Sequence, residues 1–178
     1  MPSRRAILAG ASALGGSGGL GWLLTGGRLT TGEVVLKRID VCWRYSGGAR
    51  WNGYLLRSLL GPGDQGVLTY DPSYAGGAVA DPLGITVDAA MGDRLEREFQ
   101  NVEYLVGVCG TAPGEVCSFR SRRVDREAFN RVRLGGEATV AAVDDSLFVL
   151  DASDPAAAPT GVDVEEFDFD ERHAARGR

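Results

Sequence analysis

Residues 34–45 read Val34-Val35-Leu36-Lys37-Arg38-Ile39-Asp40-Val41-Cys42-Trp43-Arg44-Tyr45, and this stretch decides the fold class. Val35, Ile39, Val41, Trp43 and Tyr45 share one parity, while Arg38, Asp40, Cys42 and Arg44 take the other. A period of two is the mark of a half-buried strand, because successive side chains point to opposite faces. Ser46-Gly47-Gly48 follows as a turn, and Arg50 to Leu60 resumes with Trp51, Tyr54, Leu55 and Leu56 as the hairpin partner.

Further strands are expected at short spacing. Gly66 to Tyr70 follows the Gly61-Pro62-Gly63-Asp64 turn, and Val102 to Cys109 is apolar and β-branched. Cys117 to Val124 alternates, and Glu137 to Val143 and Ser146 to Leu150 flank Asp144-Asp145 as a third hairpin. One helix is expected over Asp88 to Phe99, with Met91, Leu95 and Phe99 four residues apart and Asp88 as its cap; Gly92 counts against it. Asp71 to Asp81 reads as loop. The expected fold is therefore mainly β, a small antiparallel sandwich or barrel with one short helix, over residues 33–152. Residues 153–178 read as an acidic C-terminal tail that is either disordered or carries a bulged edge strand over Val162 to Phe169.

Charge is unevenly placed. The chain of 178 residues has a formal net charge of −5, and of its 19 basic residues all but Lys37 are arginine. That composition resembles halophilic archaeal proteins; a GC-rich bacterium is the other reading. Excess carboxylate keeps such a chain soluble, and the negative total argues against nucleic acid as a partner. A single histidine, His173, leaves no His-rich metal site, argues against a Ser-His-Asp triad, and with no copper or haem ligand set argues against electron transfer. Neither metal nor cofactor is expected.

The N-terminus reads Met1-Pro2-Ser3-Arg4-Arg5-Ala6-Ile7-Leu8-Ala9, followed by an apolar, glycine-rich run from Ala6 to Leu24. This resembles the twin-arginine (Tat) export signal, Ser/Thr-Arg-Arg-x-Phe-Leu-Lys, with Ile7 in place of the usual Phe and Ala9 in place of the frequent Lys. The resemblance covers about 30 residues; Ser3, Arg4, Arg5, Ile7 and Leu8 carry it. It implies the Tat translocase as a partner and a protein exported to the extracellular face of the membrane or secreted. As a helix the 19-residue run would span about 28 Å, roughly one hydrocarbon core, but six glycines make it a poor helix. Residues 1–32 are thus either a cleaved signal or an uncleaved membrane anchor.

An exported chain meets an oxidising space, so Cys109 and Cys117, which bracket a Gly/Pro turn between two strands, are expected to form a disulfide. Cys42 is the alternative partner for either. Arg120, Arg122, Arg123, Arg126, Arg131 and Arg133 form a run followed, from residue 134 to residue 171, by eleven acids and no base. The expectation is that these arginines pair with those acids; the alternative is a candidate anion-binding surface. Asp144-Asp145 is read as a turn, and the aromatics Trp43, Tyr45, Trp51 and Tyr54 as packing rather than a sugar-stacking face.

The functional expectation is an exported, envelope-associated, non-catalytic binding or structural module with no identified ligand. The alternative is a small extracellular hydrolase or carbohydrate-active domain using carboxylates. A cluster of buried, perturbed acids in a cleft would favour the enzyme; a surface with an unpaired arginine or aromatic patch would favour the binder.

Overall fold

The computed structural model describes residues 28–44, 48, 50–61, 63–110, 120–157 and 159–174. The strand read from residues 34–45 is β1, Arg28–Arg44, and every other part of the sheet is arranged around it. The remaining strands are β2 (Arg50–Leu60), β3 (Gln65–Tyr70), β4 (Asn101–Gly110), β5 (Arg122–Val124), β6 (Glu137–Val143), β7 (Ser146–Ala152) and β8 (Gly161–Glu166). They form one sheet in the order β4-β5-β7-β6-β1-β2-β3-β8, with a further β4–β1 pairing.

That extra pairing makes the architecture. Residues 36–42 of β1 pair with β2 and with β4 at once, so these two strands flank it on opposite edges. Residues 28–33 pair with β6 on the edge that β2 takes further along. The ring β1–β4–β5–β7–β6 therefore returns to β1 as a five-stranded barrel, and β2–β3–β8 continues from β1 as a wing. At the changeover, a Cβ on Gly32 would lie 1.9 Å from the carbonyl oxygen of Cys109, so only glycine lets β4 approach there. Beside it the β1–β4 register shifts between Val34 and Leu36. The shift rephases the strand: Val34 and Ile39 both enter the main core, and Val35 turns to a second cluster with Leu60 and Leu134.

The fold is mainly β, as expected, but two of its pairings are parallel, β3–β8 and β5–β7, where a purely antiparallel sheet was expected. The helix expected over residues 88–99 is present as α2 (Ala89–Glu98), capped by Asp88, whose carboxylate accepts from the Met91 amide. Gly92 is no obstacle there, because the Arg126 side chain lies across it and leaves no room for a Cβ. Three other short helices were not expected. The stretch read as loop contains α1 (Pro72–Ala75), capped by Asp71, and a 3-10 turn over Gly76–Ala78. The arginine run contains α3 (Arg126–Arg131), and α4 (Phe169–His173) lies near the C-terminus.

Both ends of the described chain are built into the sheet. Residues 28–32, read as part of the signal segment, are strand paired with β6. The acidic tail is not wholly disordered: β8 pairs with β3 over six positions, and Phe169 and His173 of α4 are buried. Phe169 is held at its amide by the second carboxylate oxygen of Asp71, at 2.6 Å, so one buried aspartate fixes both α1 and the tail.

Candidate functional site

β1 places Lys37 on the inward face, in line with Ile39, Val41 and Trp43, and it is completely buried. Its ammonium donates to the carbonyl of Ile85 at 2.6 Å and to that of Val132 at 2.8 Å. It also lies 4.4 Å from the centroid of the Phe129 ring, which serves as a third, weaker acceptor. Among the described residues no carboxylate forms an ion pair with it. Burial, and then the nearby Arg133 guanidinium, push its pKa down to about 7, against a smaller opposing pull from Asp81. A lysine near neutrality is a possible base or nucleophile, but here all three donor directions are engaged. The arrangement makes a brace. It ties β1 to the segment before α2 and to the C-terminus of α3, where a cation also meets the favourable end of the helix dipole.

The segment it holds, residues 85–88, is fixed from other sides as well. Asn130 of α3 accepts from the Val87 amide and donates to the Val87 carbonyl, both at 2.8 Å, and the Thr86 amide donates to the Ala78 carbonyl. Ile85 and Val87 are buried, so the intervening Thr86 faces outward. It lines a cleft of about 410 Å³ between α1 and α2. Ser73 stands on one wall and Asp88, Met91 and Arg94 on the other. The Arg94 guanidinium is positioned by a 2.6 Å bond from one Nη to the Tyr74 carbonyl. Among the described residues no carboxylate lies within ion-pair distance of it, and its Nε is buried without an acceptor.

The outward face of β1 carries charge of both signs. Arg38 and Asp40 form a two-bond ion pair, and Glu103 stands directly opposite Asp40 in the β1–β4 register. Burial raises the pKa of Asp40, against the pull of the Arg38 side chain, and the Glu103 charge adds to the rise. Glu103 in turn lies 3.4 Å from Arg123. The carboxylate of Glu33, also raised by burial and then by Asp64, sits elsewhere on β1. None of these three acids lines the α1–α2 cleft.

The residues singled out in the sequence are distributed as follows. Ser3, Arg4, Arg5, Ile7 and Leu8, and also Cys117 and Tyr45, lie outside the described residues. Cys42 is a free, buried thiol. It stands opposite Asn101, whereas Cys109 stands opposite Glu33, nine positions away along β1 or about 30 Å, so Cys42 cannot bridge to Cys109.

The arginine run does not pair with the acidic third of the chain as expected. Among the described residues only Arg133 forms an ion pair with an acid of that region, Asp154 at 3.3 Å, and its closer partner is Asp81 at 2.5 Å. Arg123 pairs with Glu103, while Arg120, Arg122, Arg126 and Arg131 form no ion pair with a described carboxylate. For the acids from Asp163 onward the reason is geometric, because β8 lies at the opposite end of the sheet order from β5; Asp144, Asp145 and Asp151 lie on or beside β7, next to β5, yet none of them forms an ion pair with these arginines among the described residues. Arg131 donates to the Val149 carbonyl of β7, and Arg126 packs on Gly92.

Trp43 is buried against Phe169 and His173, and Trp51 opposite it is partly exposed, so the two do not make one open aromatic face. Asp144 and Asp145 form the β6–β7 turn, with Asp144 at φ 51°. Lys37 was the residue the pattern concealed; the signal was the sole lysine standing on the apolar parity of β1. The Asp40–Glu103 juxtaposition required the strand register, and Arg94 required the packing of α2 on α1. Comparison with protein families, curated proteins and solved structures found no match for this chain.

Proposed function

We propose that this chain is an exported module that rests against the outer face of the cell membrane and acts by binding rather than by catalysis. A row of exposed apolar side chains carries the reading. Leu29 of β1 and Phe148 of β7 are exposed on either side of the buried Ala141 of β6, with which both are in register. Leu29 is 50% exposed and Phe148 55%, with Leu150 at 40% farther along β7. Apolar side chains gathered in this way mark an interaction surface more often than single exposed ones do.

The location of the row supports a lipid surface. The apolar run ends at Leu24, five residues before Leu29. An extended chain of that length reaches at most about 17 Å, so an anchored run would hold the row close to the bilayer boundary. If the signal is instead removed, cleavage falls before Arg28, since the β1–β6 pairing begins there. The Cys109–Cys117 disulfide belongs to this reading as the bond expected outside the cell.

Two features support binding over catalysis. Lys37, the strongest candidate nucleophile, has no free donor direction. The α1–α2 cleft holds an arginine with no carboxylate partner among the described residues, and its Ser73 and Thr86 hydroxyls form no hydrogen bond with Asp88, the one carboxylate that lines it.

Cell fractionation tests the export half: wild type belongs in the membrane or external fraction, and Arg4→Lys with Arg5→Lys together should hold it in the cytoplasm. Unchanged export of the double variant overturns that half. Phe148→Trp in isolated membranes tests the contact. Against the background of Trp22, Trp43 and Trp51, the variant should show more quenching than wild type by quenchers placed in the acyl region, and no added quenching on membrane-bound protein rejects the apolar row as the lipid-facing side.

A further inference from the structure

We propose that the cleft between α1 and α2 binds a small organic carboxylate that carries a neighbouring hydroxyl or ammonium, with the carboxylate on Arg94 and the neighbouring donor on Asp88. This rests on the binding reading above and names the ligand class for it.

Arg94 supplies the first half. A guanidinium presents five N–H donors in a planar fork that matches a carboxylate. One Nη is spent on the Tyr74 carbonyl, which fixes the direction of the fork. The other Nη has no partner among the described residues, and Nε is buried with none. In a chain with 24 acidic residues, a cleft arginine that meets no carboxylate leaves a place for one from outside. A buried donor without an acceptor is destabilising, and a small movement of the fork toward a ligand oxygen would relieve it.

Asp88 supplies the second half. One of its oxygens caps α2 by accepting from the Met91 amide at 2.7 Å, and the other is left to accept from a ligand. The same carboxylate discourages a bare inorganic anion, because its charge opposes a second negative centre that offers no donor in return. The hydroxyls of Ser73 and Thr86 add neutral donors and acceptors at the rim, and Met91 gives an apolar wall. A volume of about 410 Å³ holds one sugar-sized molecule.

The walls are already in place, so binding orders little. The Lys37 brace, the Asn130–Val87 pair and the Thr86–Ala78 bond fix one side. Asp71 fixes the other by capping α1 at Ser73 and Tyr74. Preorganisation of this kind keeps the entropic cost of binding small.

The test is calorimetric titration of the full chain with glucuronate, which has both the carboxylate and adjacent hydroxyls, beside glucose and inorganic phosphate. Glucuronate should bind, with glucose and phosphate each at least tenfold weaker. Arg94→Gln should weaken glucuronate at least tenfold, with thermal unfolding confirming that the variant is folded. Arg94→Lys, which keeps the charge but not the fork, should fall between the two.

Asp88→Asn retains a good helix cap and should narrow the preference for glucuronate over phosphate. The proposal is overturned if glucuronate does not bind, if Arg94→Gln binds it as wild type does, or if phosphate binds as well as glucuronate to the wild-type chain. Fractionation of the same variants separates the two readings. An Arg94→Gln protein that keeps its membrane location but shows unaltered glucuronate affinity removes the ligand assignment alone, whereas a wild-type chain found in the cytoplasm removes the export reading whatever it binds.

Discussion

Lys37 and Arg38 are neighbours on β1, both cationic, and the fold treats them in opposite ways. Lys37 points inward, has no ion-pair partner among the described residues, and is satisfied by two carbonyls and a ring face. Arg38 points outward, pairs with Asp40, and retains water on its side chain. In a dry interior an ammonium is tolerated only when every donor is matched, because each unmatched one costs its full desolvation. At a wet surface the same charge needs no partner, and the partner it has contributes little. One strand thus carries a structurally obligatory cation and a dispensable one at adjacent positions, and the face alone makes the difference.

The sharpest way to break this comparison is Lys37→Ala. It opens a cavity in the core and leaves the Ile85 and Val132 carbonyls without a donor. Together these should cost about 3–5 kcal/mol in denaturant unfolding. A loss below about 1 kcal/mol would show that Lys37 is a passenger, not a brace.

The next effect is in the pH dependence. The Lys37 pKa is about 7 in the folded chain and that of an ordinary lysine when unfolded. Between those values the unfolded chain binds the extra proton, so stability should rise with pH from about 7 to about 10.5, by a few kcal/mol. Below that window both states are protonated and the burial penalty is constant. Lys37→Met should flatten the profile in the same window, since it has no proton to lose; a profile unchanged by this substitution would assign the pH dependence to other groups.

Asn130→Ala sharpens the comparison by testing a neutral brace on the same segment. It strips the buried Val87 amide and carbonyl of their side-chain partners, for a loss of about 2 kcal/mol. Hydrogen exchange should show the Val87 amide opening faster while β1 amides keep their protection. Equal loosening throughout the barrel would mean that Asn130 supports the whole fold and not this segment.

What the sequence made legible followed from local periodicity. The alternation from residue 34 onward identified β1, the spacing of Met91, Leu95 and Phe99 identified α2, and Asp144-Asp145 identified the β6–β7 turn. Edges and registers were out of reach. Nothing local states that β1 uses one edge for both β6 and β2, which is what closes the barrel. The acids of β8 and α4 and Asp168 between them masked Phe169, whose amide is held by Asp71 nearly a hundred residues away. The arginine run misled because proximity of opposite charge along a chain says little about proximity across a sheet. For the cleft, Asp88 was visible as a cap, but Arg94 gained meaning only when α1 formed within a stretch that reads as loop.

The smallest expected effect is at the outward pair. Arg38 and Asp40 make two hydrogen bonds, yet their side chains retain 35% and 18% of their exposure. Arg38 also stands near the Tyr54 ring, so removing it loses packing as well as charge. A double-mutant cycle with Arg38→Met and Asp40→Asn separates the two contributions, and the coupling should be at most about 1 kcal/mol. Asp40→Asn alone removes a carboxylate that burial disfavours, so it should be close to neutral. The sign in acid follows from the same fact. A carboxyl whose folded pKa is raised takes up its proton earlier in the folded chain, so Asp40 itself should favour folding slightly as pH falls through its folded pKa. That trend should vanish in Asp40→Asn. A coupling of several kcal/mol would instead make the outward pair as obligatory as Lys37, and the distinction between the two faces of β1 would fail.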